Sequence, residues 1–230
     1  MNHSFDSFAA AYDEALHQGL RITGGDRSTY AKYRVGEFKN IVAKYKQNDH
    51  FSILDFGCGD GATSLLLSKA FNADVIGVDL SKRSIEMAIK NSNTFNNHVR
   101  FIPFDDFKSV PAFDLAYCNG VYHHIPLEER GKITNRIYDS LRPGGLFAVF
   151  ENNPWNPGTR LVMSRIPFDR DAIVVTPPEM KRVLIQSGFH ILTTKFLFFI
   201  PPFTGPLFTL DRYCRWFPLG GQYLIIGQKS

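Results

Sequence analysis

Cysteine, methionine and tryptophan are scarce, with three, four and two residues in a chain of 230. The cysteines (Cys58, Cys118 and Cys214) are odd in number and widely spaced, with no pair at metal-ligand spacing. A disulfide framework and a bound metal are therefore not expected, and free thiols in a reducing compartment are the simplest reading. A strong charge excess is also missing. Lys and Arg number 26 against 22 Asp and Glu, and a net charge of +4 leaves no footprint for nucleic acid. No uninterrupted apolar run is long enough to span a bilayer. The most apolar stretch, 191–210, contains Lys195 and three prolines. Met1 to Ala11 lacks a basic region followed by an apolar one, so no signal peptide is expected. Repeats, low-complexity tracts and long linkers are absent as well. With 44% hydrophobic residues, too many for a disordered chain, the expectation is one cytoplasmic domain with a substantial core.

Short apolar runs alternate with amphipathic stretches along the middle of the chain. Phe51 to Phe56 reads as a buried strand ending at glycines, followed by a helix over Ala62 to Phe71 with Leu65, Leu66 and Ala70 on one side. Asp74 to Val78 reads as a second strand, and Arg83 to Asn91 as a helix entered through Ser81. Val99 to Phe104 and Phe113 to Tyr117 are the third and fourth strands. A helix over Ile133 to Leu141 stops at Pro143-Gly144-Gly145, and Leu146 to Phe150 is the fifth strand. Strands alternating with helices in this way imply right-handed crossovers and a parallel, doubly wound sheet. Its ligands belong beyond the carboxyl ends of the strands, where strand order reverses.

The sharpest local signal is Asp55-Phe56-Gly57-Cys58-Gly59-Asp60-Gly61, where an apolar strand runs into three alternating glycines and then a helix. Glycines permit positive φ and let a ligand approach bare backbone. A dinucleotide loop sets pyrophosphate against the helix N-terminus, where Asp55 and Asp60 would repel it. The third glycine also comes one residue early for that motif. A ligand carrying cationic groups and no phosphate fits better.

These residues resemble motif I of the class I S-adenosylmethionine-dependent methyltransferases. The resemblance continues in Asp79 and Leu80 after the second strand, and in Asp105 and Asp106 after the third. Phe113 to Asn119, with the trailing His123-His124 pair, resembles the fourth-strand motif, and Leu141 to Gly145 the turn before the fifth strand. It implies a Rossmann-like α/β fold with a doubly wound seven-stranded sheet, parallel except for an antiparallel last strand, and an N-terminal helical lid. It also implies S-adenosylmethionine as cofactor, held by Asp55, Gly57, Cys58, Gly59, Gly61, Asp79, Leu80, Asp105, Asp106 and Asn119. Asp55 would orient the amino-acid end, Asp79 the ribose and Asp105 the adenine. Plainer readings stand beside these: Asp79 could serve as a helix cap, and so could Ser81. His124, His123 and Glu151 are the candidate catalysts, although a histidine packing the following turn or a solvated acid would look the same. Methyl transfer needs mostly alignment, so a dedicated base could be absent. Asn119 is followed by Gly120 rather than an Asn-Pro-Pro-Tyr-like motif, which disfavours methylation of nucleic-acid bases.

The whole chain reads as one methyltransferase domain: 1–48 as lid, 49–150 as cofactor-binding core and 151–230 as acceptor-side elaboration. Ten of the 13 prolines lie from Pro143 onward, and seven of the 21 phenylalanines between Phe189 and Phe217. Leu192 to Ile200 and Gln222 to Gln228 read as the last two strands, and Pro178 to Gln186 as a helix closed by Gly188. The 21 residues from Pro201 to Gly221 between those strands exceed a hairpin turn. Asn152, Trp155 and Arg160 should border the acceptor pocket, together with Tyr12 and Tyr33 of the lid segment. Leu207, Leu210, Cys214 and Phe217 recur at helical spacing, as in an amphipathic helix packed on its own domain. A lid over a greasy substrate or a membrane-surface contact would use the same pattern. Lys195, Arg212, Arg215 and Lys229 against Asp211 put +3 of the net charge into residues 189–230. A small, hydrophobic or anionic acceptor methylated on oxygen is the resulting expectation. The rivals are a catalytically silent cofactor-binding subunit and an NAD-binding oxidoreductase.

Overall fold

A computed structural model describes residues 26–92, 98–165 and 172–230, apart from the side chains at 202 and 203. Helix α1 (Arg27–Val42) starts at Asp26, whose carboxylate accepts from the Thr29 N–H at 2.6 Å. Strand β1 (Phe51–Phe56) leads through the glycine loop to α2 (Ala62–Phe71), β2 (Ala73–Asp79), α3 (Lys82–Ser92) and β3 (Val99–Pro103). After β4 (Phe113–Asn119) come α4 (Leu127–Ser140), β5 (Leu141–Asn152), α5 (Pro157–Met163) and α6 (Pro177–Gln186). Strand β6 (Phe189–Leu197) and strand β7 (Gln222–Lys229) flank a 3-10 segment (Pro202–Leu210) and a single turn, α7 (Asp211–Cys214).

The strands form one sheet of order β3-β2-β1-β4-β5-β7-β6. Pairing is parallel from β3 to β5, and β7 runs antiparallel to both neighbours. Chain direction through the sheet reverses between β1 and β4, so the ends of those two strands frame the crevice where such a fold binds ligands. Both faces are covered. Ile53, Leu115, Ala148 and Leu224 pack under Phe38 of α1 and Leu67 of α2. Leu54, Ala116, Val149 and Ile225 face the opposite way, toward Ile137 of α4 and Leu184 of α6. A strand buried on both faces carries a continuous apolar run, which is why Phe51–Phe56 shows no polar alternation. Among the described residues, no helix is long and apolar enough to cross a membrane.

Several elements differ from the sequence expectation. The buried face of α2 is Ser64, Leu67 and Phe71 rather than Leu65, Leu66 and Ala70, because α2 lies between α1 and β2. Strand β5 begins at Leu141, five residues early. Phe113 pairs with Leu141 and Leu115 with Leu146, so Arg142 to Gly145 bulge from the β4 ladder between those two pairs. The connection after β5 contains α5, begun by an Asn156 side-chain cap and Pro157. The amphipathic helix expected around Leu207 to Phe217 is inverted. Leu207, Leu210 and Phe217 are exposed, while Asp211 is the fully buried residue of the segment.

Candidate active site

The end of β1 is held open by its glycines. Gly57, Gly59 and Gly61 have φ of 77°, 54° and 81°, all left-handed. A side chain at Gly57 would collide with Val121, whereas at Gly59 only the Arg27 guanidinium lies near, at 3.8 Å. Gly59 is therefore the position where bare backbone faces open space. Asp79, at the end of β2, accepts from the Gly59 N–H and the Ser81 N–H, each at 2.9 Å, and so braces the loop. The cap of α3 is Ser81, whose hydroxyl accepts from the Ser84 N–H at 3.1 Å.

Charge in the loop is distributed unevenly. Asp60 forms a two-pronged ion pair with Arg27 at 2.8 and 2.9 Å, joining α1 to the loop. Its charge is thus matched within the chain rather than presented to a ligand. Asp55 is buried and, among the described residues, accepts only the Ser64 hydroxyl, at 2.6 Å. Burial drives its carboxyl up to about 7, against the lowering effect of Ser64 and with help from Asp79 and Asp60. Burial likewise pushes the Cys58 and Cys118 thiols upward, which leaves them inert.

A cavity of about 450 Å³ opens from this loop across β4 toward β5 and β7. Asp55, Gly57, Cys58, Gly59 and Asn119 line its near side, and the Asn119 side-chain oxygen there has no partner among the described residues. His123 and His124, from the 3-10 turn Tyr122–His124, line its middle, with ring centroids 4.1 Å apart. Behind them Glu151 is fully buried. One carboxylate oxygen lies 2.7 Å from His123 Nδ1, and the other accepts the Tyr122 N–H at 2.7 Å. Burial would raise this carboxyl, but the His123 charge and these hydrogen bonds outweigh it and hold Glu151 below its usual value. The far wall is apolar, formed by Val162 and Met163 of α5 with Phe198 and Phe199 after β6.

The remaining candidates fall elsewhere. Asp79, Leu80, Asp105 and Asp106 stand at the carboxyl ends of β2 and β3, in line with the glycine loop but outside this cavity, and Gly61 packs against Phe101. Asn152 lines the cavity and accepts from the Gln222 amide at 3.2 Å. Trp155 stacks on Phe196 and Arg160 is exposed, both away from the cavity lining. Tyr33 lies under the 198–217 segment, with its hydroxyl between Asp211 and Arg215. Tyr12 lies outside the described residues. Among the described residues no three His, Cys, Asp or Glu side chains are placed to hold a metal.

Residues 53–145, from β1 into β5, match the family model described as a methyltransferase domain. That match covers about two fifths of the chain and, with the relatives that follow, supports a class I S-adenosylmethionine-dependent methyltransferase. It is 27% identical over 202 residues to the phosphoethanolamine N-methyltransferase of Plasmodium falciparum, covering 84% of this chain and 71% of that protein. It is 28% identical over 137 residues to phosphoethanolamine N-methyltransferase 3 of Arabidopsis thaliana, covering 58% of this chain and 26% of the relative. The chain thus spans about a quarter of that plant protein's length. A chain from the complex of the Haloferax volcanii Trm112 methyltransferase activator with its methyltransferase superposes with a TM-score of 0.68 at 16% identity. It covers 100% of this chain and 99% of that one, a likeness of fold alone.

Beyond the site residues named from sequence, Arg27, Tyr30 and Arg34 of α1 also line the cavity. Their spacing of three and four residues puts them on one helix face, the signal that could have found them. Gln222 and the α5 wall join them, brought to the cavity only by the antiparallel return of β7 and the packing of α5.

Proposed function

We propose that this chain is a cytoplasmic enzyme that transfers the methyl group of S-adenosylmethionine to an oxygen of a small, partly apolar acceptor. One observation carries the reading. A single cavity joins Asp55, Gly57 and Gly59 to two histidines and to an apolar chamber, so cofactor and acceptor groups can face each other without intervening protein. The cofactor supplies a methyl group on a cationic sulfonium, and its ammonium suits the Asp55 carboxylate. The bare backbone at Gly59 and the unpartnered Asn119 oxygen also fit it. Asp79 with Leu80 would take the ribose, and Asp105 with Asp106 the adenine, along the ends of β2 and β3. Residues 1–48 would serve as lid, 49–150 as cofactor core and 151–230 as acceptor side.

His123 would receive the acceptor hydroxyl proton. Glu151 fixes its ring through Nδ1 and would stabilise the imidazolium so formed. His124, packed on that ring, would align the hydroxyl. Calorimetry with S-adenosylhomocysteine and with NAD tests the cofactor: the former should bind and the latter should not, and NAD-only binding would overturn the reading. Labelled S-adenosylmethionine incubated with fractionated cell metabolites tests transfer, with label expected in a small molecule. His124→Ala should slow that transfer at unchanged cofactor affinity.

A further inference from the structure

Arg34 sits in the cavity as a buried cation without a counter-charge. It is 8% exposed, and no carboxylate among the described residues lies within ion-pair distance. Arg34 Nη1 donates to the Gln222 side-chain oxygen at 3.1 Å, and Nε has no partner. The neighbouring Tyr117 hydroxyl is 1% exposed, and it too makes no hydrogen bond of good geometry although the guanidinium lies beside it. Arg130, the other buried arginine, donates instead to the Ile125 and Ile173 carbonyls. Asp55 lines the same cavity, but it is turned to Ser64 and forms no ion pair with Arg34. Burying a charge is costly unless it is paired. A guanidinium and a phenol hydroxyl, both buried, partly unpartnered and lining one cavity, describe a site for an anion.

We propose that Arg34, with the Tyr117 hydroxyl and Gln222, binds an anionic oxygen group, carboxylate or phosphate, on the methyl acceptor. The proposal rests on the methyltransferase reading and narrows its substrate class. Position assigns the anion to the acceptor. Arg34 is linked through Gln222 to Asn152, at the ends of β7 and β5, whereas the cofactor residues, Asn119 of β4 apart, follow β1, β2 and β3. The wall beside these strand ends is Val162, Met163, Phe198 and Phe199. The acceptor is thus an amphiphile with an acidic group at Arg34 and an apolar body against α5. Arg160, the cation expected for this task from sequence, is exposed and outside the cavity lining.

The test is calorimetry on the full chain saturated with S-adenosylhomocysteine, titrated with octyl phosphate, octanoate and 1-octanol below their aggregation limits. At least one anion should bind about tenfold or more tighter than the alcohol, the gain of one charge-assisted hydrogen bond. A preference for octyl phosphate or for octanoate then tells phosphate from carboxylate. Arg34→Gln should erase the margin while S-adenosylhomocysteine affinity stays within about threefold. Tyr117→Phe, which removes one oxygen from an otherwise intact ring, should cut the margin without altering the melting temperature of the cofactor-bound chain. Octanol binding as tightly as both anions would overturn the proposal. So would an undiminished margin in Arg34→Gln, or a loss of S-adenosylhomocysteine affinity in its place. If S-adenosylhomocysteine does not bind the wild type, the methyltransferase reading fails separately, and titration of the ligand-free chain still reads Arg34.

Discussion

The Tyr33 hydroxyl donates to Asp211 Oδ2 at 3.1 Å, tying the first described helix to a segment 178 residues away. Asp211 is fully buried, and its other oxygen accepts the Phe199 N–H at 2.7 Å. Arg215 reaches the same Tyr33 hydroxyl at 2.6 Å and pairs with Glu37 at 2.6 Å, as does Lys195. Phe198, on the cavity wall, has φ of 65°, a left-handed backbone that a bulky residue adopts only under constraint. One buried carboxylate therefore holds the turn that presents Phe198 and Phe199. Asp211→Ala leaves the Tyr33 hydroxyl and the Phe199 N–H without this acceptor and should cost about 3 kcal/mol, lowering the melting temperature by roughly 6–12 °C. It should also open the 198–221 segment to limited proteolysis. An unchanged melting curve would show that the turn holds itself.

Glu151 gives a pH signature. Its folded pKa lies below the ordinary 4.5, so below that pH the folded chain binds fewer protons than the unfolded one. Its contribution is present above the unfolded value and is lost as pH falls through the folded one. Glu151→Gln should therefore flatten the acid limb of a denaturant-midpoint profile below about pH 5. With a hydroxyl acceptor the same variant should slow turnover by about 100-fold or more at unchanged cofactor affinity. Equal acid slopes in the two proteins would remove Glu151 from this account.

Asp55 predicts the opposite pH sense. Its folded value of about 7 exceeds the ordinary 3.8, so between the two the folded chain holds the extra proton and stability declines as pH rises. A cationic ammonium favours the carboxylate, so S-adenosylhomocysteine should bind more tightly from pH 6 to pH 8, about tenfold at most over the first unit. Calorimetry in buffers of different ionisation enthalpy should register proton release near pH 6.5. Asp55→Asn should abolish the release; an unchanged release would place the titrating group elsewhere.

Alanine at Gly57 and at Gly59 should fail differently. Gly57→Ala meets Val121 as well as an unfavourable φ, and should lower stability by about 2 kcal/mol or more. Gly59→Ala has room and should cost only about 1–2 kcal/mol for its φ of 54°. Its methyl group stands where ligand backbone contact is expected, so cofactor affinity should drop at least tenfold. Melting temperature and S-adenosylhomocysteine affinity, measured together, separate the two losses. Identical affinity in Gly59→Ala and wild type would place the cofactor away from this loop.

Elements governed by local rules were readable in the chain. The bounds of β1 and α2 coincide with Phe51–Phe56 and Ala62–Phe71, because an apolar run, a glycine loop and a helix signal lie in sequence contact there. Thr176, Pro177 and Glu179 start α6 by a capping box for the same reason. The charge count for residues 189–230 was less informative. Lys195 and Arg215 are bound to Glu37, and Lys229 donates to the Tyr138 and Leu141 carbonyls, so little of that +3 remains as a free basic surface.

What the amino-acid order determines by itself is the glycine-loop side of the cavity, the proposed cofactor half: strand, glycines, acid and helix are neighbours in the chain, and short-range sterics and hydrogen bonding suffice to assemble them. The acceptor half was decided by tertiary structure. Arg34, Tyr117 and Gln222 are up to 188 residues apart, and only the packing of α1 on the sheet and the antiparallel return of β7 bring them together. No periodicity encodes a meeting at that range. Burial of Arg34 away from every described carboxylate exists only once the sheet has closed around it, and the proposed anion site rests on that burial.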